Sequence, residues 1–483
     1  MKPSNLLFLL SDQHARRFTG CYGHPIVQTP NIDALARSGT TFRNAYTPAP
    51  ICVPARASLA TGRHVYDHAC WDNARPYTGA QPSWGHRLQA NGHAVLSIGK
   101  LHYRNDTDDV GFDEQRHPMH VIDGEGMLFT ILRDPVPVQK KFRMMVQGAG
   151  PGESSYTRYD ADITREAVAW LRKEAPHQDR PWVLFVSLVC PHPPFVAPPE
   201  FFHRYDPASL PMPMAYSLEE RPHHPVLEDL RRFFGVDEPI DAAIMQRVQA
   251  AYLGMITYLD ENIGQILSAL ADSGQAANTR ILYTSDHGES MGQKGMFSKC
   301  NFYDESVGIP MIIAGPEVPV GRVVDTPTSL VDCFPTVLDA VGVPLTVEDA
   351  DLPGRSLFDL AAGVRPARYI LSEHHSVGFR HSGFMVRWDS FKYVYYVNAA
   401  PQLFDLATDP EELTNLAQDL DYAAVLSRGH EALCGMLDPG SIDAIVKADQ
   451  SRRIHAAGGV QAILDKGSTG YTPAPGEIPV FVR

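Results

Sequence analysis

The sequence predicts an α/β protein: a large, mainly parallel sheet sandwiched by helices, with a smaller C-terminal α+β subdomain. Three observations carry that expectation. Short apolar runs alternate with helical segments through the first three quarters of the chain, as in a parallel sheet fed by crossover helices. The pattern changes after about residue 365 into adjoining runs that read as a hairpin. The chain has 483 residues, 44% of them hydrophobic and 20% charged, which suits a large folded core and excludes bulk disorder.

Taken in order, Leu6 to Leu10 is the first strand and Asn31 to Ser38 a capped helix. A strand at Ala94 to Ile98 follows the helical stretch around Arg87. Trp182 to Val189 follows a helix at Ile163 to Glu174, and Arg280 to Thr284 follows the long amphipathic stretch Ala242 to Leu270. Pro310 to Ala314 precedes a helix at Leu330 to Val341. The 39 prolines cluster in loops, at Pro48 to Pro54, Pro191 to Pro199 and Pro207 to Pro225. The expected division is therefore a catalytic domain over 1–365 and a subdomain with an extended tail over 366–483. In the latter, Phe384 to Trp388 and Lys392 to Val397 form a hairpin core, and Tyr422 to Met436 a helix. The tail, Gly470 to Gly476, is too polar and proline-rich for core; it reads as surface coil or as an arm on another subunit.

The net charge is −14, from 42 basic and 56 acidic residues without a basic run, which argues against nucleic acid or an anionic membrane as partner. No apolar run approaches the roughly 20 residues of a membrane span. The first apolar run is too short for a signal peptide and lacks a small-residue cleavage site, so the expected compartment is the cytoplasm. Seven cysteines without a CxxC pair fit a reducing compartment.

Polar clusters stand at the carboxyl ends of predicted strands, the edge where α/β sheets bind ligands: Asp12-Gln13-His14, Lys100-Leu101-His102, His192 and Asp286-His287-Gly288-Glu289. Cys52-Val53-Pro54-Ala55-Arg56 precedes a helix expected at Ala57 to Thr61. Read alone, Cys52 is either a cysteine in a proline-rich turn or a thiolate nucleophile lowered by the helix terminus and Arg56. Asp67, Trp71, Asp72 and Tyr77 either line a leaving-group pocket or pack a loop.

The whole set resembles the sulfatase branch of the alkaline phosphatase superfamily. The resemblance rests on Cys52-Val53-Pro54-Ala55-Arg56 with Leu59-Ala60-Thr61-Gly62-Arg63, on Gly99-Lys100-Leu101-His102, on Pro191-His192-Pro193-Pro194-Phe195, and on Thr284-Ser285-Asp286-His287-Gly288-Glu289. Gln402 to Leu406 with Asp409-Pro410-Glu411 resembles the family's C-terminal motif. It implies that Cys52 is oxidised to formylglycine by a formylglycine-generating enzyme, and that Arg56 holds the resulting hydrate. A geminal diol can attack sulfur with one hydroxyl and expel sulfate with the other, where a plain alkoxide would stay sulfated. Asp12, Gln13, Asp286 and His287, with the modified Cys52, match the positions that bind a divalent metal. Gln13 and His287 depart from the commoner acid and asparagine; the set suits Ca²⁺ first, with Mn²⁺ or Mg²⁺ as alternatives. Lys100, His102, His192 and Lys299 match sulfate-binding and proton-handling residues, and Asn73 either contacts the transferred group or caps a loop.

The implied activity is hydrolysis of a small sulfate monoester to alcohol or phenol plus sulfate. The alternative is a phosphonate monoester or phosphate diester hydrolase using the same formylglycine. Gln13 and His287 suit both, whereas Lys100 and His102 stand where phosphonate hydrolases carry hydroxyl side chains. A silent binding protein would have lost a reactive residue, and none is lost. The leaving group is left open between aryl, choline, other alkyl and sugar sulfates, its recognition expected in the loops 106–150 and 200–238. A homo-oligomer is compatible with the tail.

Overall fold

The computed structural model describes residues 2–483. Its main sheet has eight strands: β1 (Asn5–Ser11), β2 (Gly39–Phe42), β3 (Val95–Lys100), β4 (Glu114–Met119), β5 (Val183–Ser187), β6 (Thr279–Ser285), β7 (Met311–Ala314) and β8 (Arg322–Val324). They lie in the order β8-β2-β7-β6-β1-β5-β3-β4. Only β7 runs antiparallel to its neighbours β2 and β6; the remaining pairs are parallel. Leu7 of β1 sits between Leu184 of β5 and Ile281 of β6. Every residue of β1 is buried, which is why the sequence reads there as an unbroken apolar run instead of an alternation.

Helices cover both faces. On one, α1 (Pro30–Ser38) and α4 (Ser155–Lys173) pack against α5 (Ala242–Asp272); on the other, α2 (Cys52–Thr61), α3 (Trp84–Ala90) and α6 (Cys333–Val341) pack together. Two helices start earlier than the sequence suggests. α2 begins at Cys52 itself, because Pro54 falls in a first turn whose N–H groups need no intrahelical acceptor. α4 begins at Ser155, where the Ser154 hydroxyl and Thr157 cap it reciprocally. The edge strands β4 and β8 are short or polar and give no apolar signal.

The smaller sheet is antiparallel: β9 (Ile370–His374), β10 (Gly383–Trp388), β11 (Phe391–Tyr396) and β12 (Gln402–Asp405), in that order. Trp388, Tyr393 and Leu403 bury against Leu433 of α7 (Ala423–Met436) in a second core. A buried knot of charge ties the two sheets together. Lys392 of β11 pairs with Asp304 and faces Glu412 Oε1 at 2.6 Å, Arg16 pairs with the same Asp304, and the Tyr46 ring lies within reach of both cations. Helix α8 (Pro439–Ala456) then returns to the large domain, where Arg453 Nη2 and Gln450 Nε2 donate to Asp72 Oδ2, each at 2.8 Å. No helix among the described residues is long and apolar enough to cross a membrane.

Candidate active site

The carboxyl ends of the central strands converge under the N-terminus of α2. Asp12 and Gln13 follow β1, Lys100 ends β3, His192 lies beyond β5, and Asp286 and His287 follow β6. Gly99 adopts φ 100, and a Cβ there would lie 2.3 Å from the Ser187 carbonyl oxygen. Only glycine allows that approach, which shifts the β3–β4 register between Ile98 and Lys100 beside the site. Cys52 is 1% exposed. Its Sγ lies 3.1 Å from His287 Nε2, 3.3 Å from Lys299 Nζ and 3.9 Å from Asp12 Oδ1. Burial and Asp12 push the thiol pKa up, but Lys299, Lys100 and His287 outweigh them and leave it below its ordinary value.

Arg56, one turn along α2, reaches past Cys52. Its Nε donates to Asp286 Oδ2 at 2.8 Å, Nη2 to Asp12 Oδ2 at 3.3 Å and Nη1 to the Lys100 carbonyl at 2.7 Å. It therefore positions two carboxylates and a strand end, and its recorded bonds do not reach Cys52. Asn73 caps α2: its Oδ1 accepts the Val53 N–H at 3.0 Å, and the residue also lines the pocket.

The donor set fits a divalent cation. Asp12, Cys52, Asp286 and His287 bring their ligand atoms within 4.8 Å of one another, all buried. His287 Nδ1 donates to the Gly288 carbonyl at 3.1 Å, which leaves the Nε2 lone pair for the shared space. Burial is the largest influence and disfavours a proton on His287, but Asp286 and Cys52 together outweigh burial and Lys299 and leave the pKa raised. Gln13 Nε2 donates to Glu289 Oε2, which orients the amide and frees Oε1 for a cation; here Oε1 accepts from Lys299 Nζ at 2.5 Å. Burial would raise the Asp12 pKa, but the cations Lys100, at 2.5 Å, Arg56 and Lys299 hold it well below the usual carboxylate range.

Above Cys52 lies a pocket with about 540 Å³ of free volume, its mouth included. Cys52, Asn73, Lys100, His102, His192 and Lys299 all line it. Lys299 stays an ammonium: burial opposes the charge, and Cys52, Asp12 and Asp286 more than restore it. His192 and His102 are driven well below 6.5, first by burial and then by the neighbouring cations, so both are neutral. His192 Nδ1 donates to the Pro193 carbonyl at 2.7 Å, leaving Nε2 available.

Several readings of the sequence change here. The tail is neither free coil nor an arm on another subunit; it returns to its own pocket. Gly470, Tyr471 and Thr472 line that pocket, Thr472 Oγ1 meets His102 Nε2 at 2.8 Å, and Tyr156 Oη donates to the Thr472 carbonyl at 2.5 Å. Asp67, Trp71, Asp72 and Tyr77 do not line it. Asp72 is committed to Arg453, Trp71 packs on His375, Tyr77 on Tyr103, and Asp67 pairs with Arg63. His14 is buried between Tyr283 and the Phe18 carbonyl, away from the surface, and burial lowers its pKa to about 4. The apolar far wall, Phe142 and Met145 with Phe233 and Phe234, falls within the two loop regions where recognition was expected, although no local signal singles out those residues.

The chain and its fold have counterparts among known proteins. A family model described as "Sulfatase" matches residues 4–343, and one described as "N-sulphoglucosamine sulphohydrolase, C-terminal" matches 292–437. A choline-sulfatase of Rhizobium meliloti is 30% identical over 469 residues, covering 94% of this chain and 90% of the relative. Arylsulfatase K of Bos taurus is 31% identical over 445 residues, covering 86% and 78%. The crystal structure of a phosphonate monoester hydrolase of Agrobacterium radiobacter superposes with a TM-score of 0.72 at 27% identity, covering 92% of this chain and 96% of that one. A family model over residues 4–343, which span the four strand-end clusters and the Cys52 segment, together with two sulfatases matched over most of their length, settles the family: the chain is a sulfatase, a member of the sulfatase family within the alkaline phosphatase superfamily.

Proposed function

We propose that the protein hydrolyses small sulfate monoesters to an alcohol or phenol plus sulfate, using formylglycine made from Cys52 and a divalent cation held by Asp12, Gln13, Asp286 and His287. The observation that carries the reading is the placement of Cys52 Sγ, 3.1 Å from His287 Nε2 and 3.3 Å from Lys299 Nζ, on the floor of a pocket lined by Lys100, His102 and His192. The cation, when bound, supplies positive charge for the nucleophilic and sulfate oxygens; Ca²⁺ suits the carboxylate and amide donors, and Mn²⁺ or Mg²⁺ are the alternatives.

Lys100 and Lys299 hold the sulfate group and bear the charge that shifts onto its oxygens as the ester bond breaks. Asp12 and Asp286 are fixed by Arg56, so these carboxylates need not reorganise during the reaction. Lys299 remains protonated and is placed to meet the leaving oxygen. His192 is neutral in the empty site; an arriving sulfate brings the negative charge that offsets Lys299 and Lys100 and restores its affinity for a proton. His102, tied to Thr472, is assigned to the proton transfer that releases sulfate from the modified Cys52. Maturation requires a formylglycine-generating enzyme as transient partner.

The likeness to the Agrobacterium enzyme favours a second reading, hydrolysis of phosphonate monoesters or phosphate diesters at the same site. One comparison separates them: kcat/KM for an aryl sulfate and an aryl phosphonate monoester, on one metal-loaded preparation with Cys52 conversion confirmed by peptide mass. The sulfate is expected to win by a factor of ten or more, about 1.4 kcal/mol of differential transition-state binding. A phosphonate preference of that size overturns the assignment.

A further inference from the structure

The pocket carries its charged side chains at one end. Its reactive floor carries Lys100 and Lys299, whereas no aspartate or glutamate among the described residues lines any part of it. Asp12, just beneath, is already taken by Lys100 and Arg56. A cationic alcohol bound there would lie near two ammonium groups with no carboxylate of its own to meet.

The far wall is hydrocarbon. Phe142 is 1% exposed and Phe233 0%; the Phe142 and Phe234 rings lie 4.8 Å apart, with Phe233 edge-on to Phe234 at 5.3 Å. These rings are tightly fixed against one another. Several polar atoms along the walls are already engaged within the protein. Asn73 Oδ1 accepts from Val53, Thr130 Oγ1 donates to the Met127 carbonyl at 2.7 Å, Gln139 Nε2 donates to Ser468 at 3.3 Å, and Thr472 engages His102. A sugar would have to give up its water with few partners in exchange.

From this we infer that the leaving group is an uncharged, apolar alcohol or phenol, favoured by the hydrocarbon wall of Phe142, Phe233 and Phe234 and selected against cationic alcohols by Lys100 and Lys299 in a lining without a carboxylate. The inference rests on the sulfatase reading above and names its substrate class. Shape and charge can be separated with a matched pair: choline sulfate and its neutral carbon isostere, 3,3-dimethylbutyl sulfate, with glucose 6-sulfate as the polyhydroxylated arm. Choline is the more acidic alcohol, so a preference for the neutral ester would run against intrinsic reactivity.

Sulfate release by the Cys52-converted, metal-loaded enzyme is expected to give the neutral ester a kcat/KM at least tenfold above either of the others. A smaller ratio, or a preference for choline sulfate or the sugar sulfate, overturns the inference and leaves the sulfatase reading intact. Failure to release sulfate from any ester, with turnover of an aryl phosphonate monoester, overturns the sulfatase reading instead. Val377→Asp supplies the converse. Val377 lines the pocket at φ 42, a left-handed backbone that aspartate tolerates better than a β-branched residue. The variant is expected to lower the neutral-to-choline ratio at least tenfold; an unchanged ratio would show that charge at this wall does not select the substrate. If Val377→Asp does not fold, Met145→Glu places a carboxylate at another lining position, with the same expectation.

Discussion

Glu289 acts on the site without lining the pocket. Its Oε1 accepts the Met291 and Ser298 N–H groups, which fixes the carboxylate, and its Oε2 holds the Gln13 amide nitrogen so that the carbonyl oxygen is left to face Lys299 Nζ beside Cys52. In Glu289→Gln the Oε1 contacts survive, but a donor would face a donor at Gln13, and the Gln13 amide would turn its nitrogen toward the cation. Calorimetric titration should show divalent-metal affinity reduced about 10- to 100-fold, with the Tm of the metal-free protein changed far less. At this scale the sequence was most legible where chemistry is contiguous: Asp286 and His287, or Cys52 and Arg56, stand side by side in one motif. The Gln13–Glu289 bond joins residues 276 apart, and the role of Glu289 becomes visible only when β1 and β6 lie side by side.

Between elements, Asp160 is the hinge pin. It lies on α4, and its carboxylate accepts the backbone N–H groups of Val189 and Cys190 at 2.7 and 2.8 Å, fixing the turn that leads to His192. Burial raises its pKa to about 6, although those two bonds pull the other way. The folded state thus holds the Asp160 proton more tightly than the unfolded chain, whose aspartate titrates near 3.9. The stabilisation is complete below about pH 4 and is lost as pH rises through 6, on the order of 2 to 3 kcal/mol. Thermal melts from pH 4 to 7 should therefore show the Tm of wild type falling relative to that of Asp160→Asn; parallel curves would remove the assignment. The central strands could be read from sequence because burial on both faces makes them continuous apolar runs. β4, with the sequence Glu-Gln-Arg-His-Pro-Met, offered neither that run nor an alternation, and the first two turns of α4 are held by a cap and by tertiary packing instead of a strong local pattern.

The molecule completes its pocket with a segment far from the strands that carry the chemistry. Ser468 pairs with Val482 through two backbone bonds of 2.9 Å, and the turn they close presents Tyr471 to Tyr156 and Thr472 to His102 and Tyr156. Deleting residues 467–483 should leave the main sheet folded, because the tail supplies none of its strands, and lower kcat/KM at least tenfold by releasing His102 and admitting water. Circular dichroism and steady-state kinetics on one preparation test both halves; unaltered kcat/KM would rule out a role for the tail. Composition could not announce this role, since a polar, proline-rich segment looks the same whether it wanders or is strapped down.

The charge knot around Lys392 has a consequence for inheritance. A subdomain that looks like a separate module is joined to the catalytic sheet by a buried ammonium shared between Asp304 on one side and Glu412 on the other. Exchanging the C-terminal portion between relatives would strand one of these charges unless the opposite half already carried its complement. Lineages built on this arrangement are thus constrained to change Arg16, Asp304, Lys392 and Glu412 in concert, so that recombination across the boundary is punished even where each half folds well among its own kind.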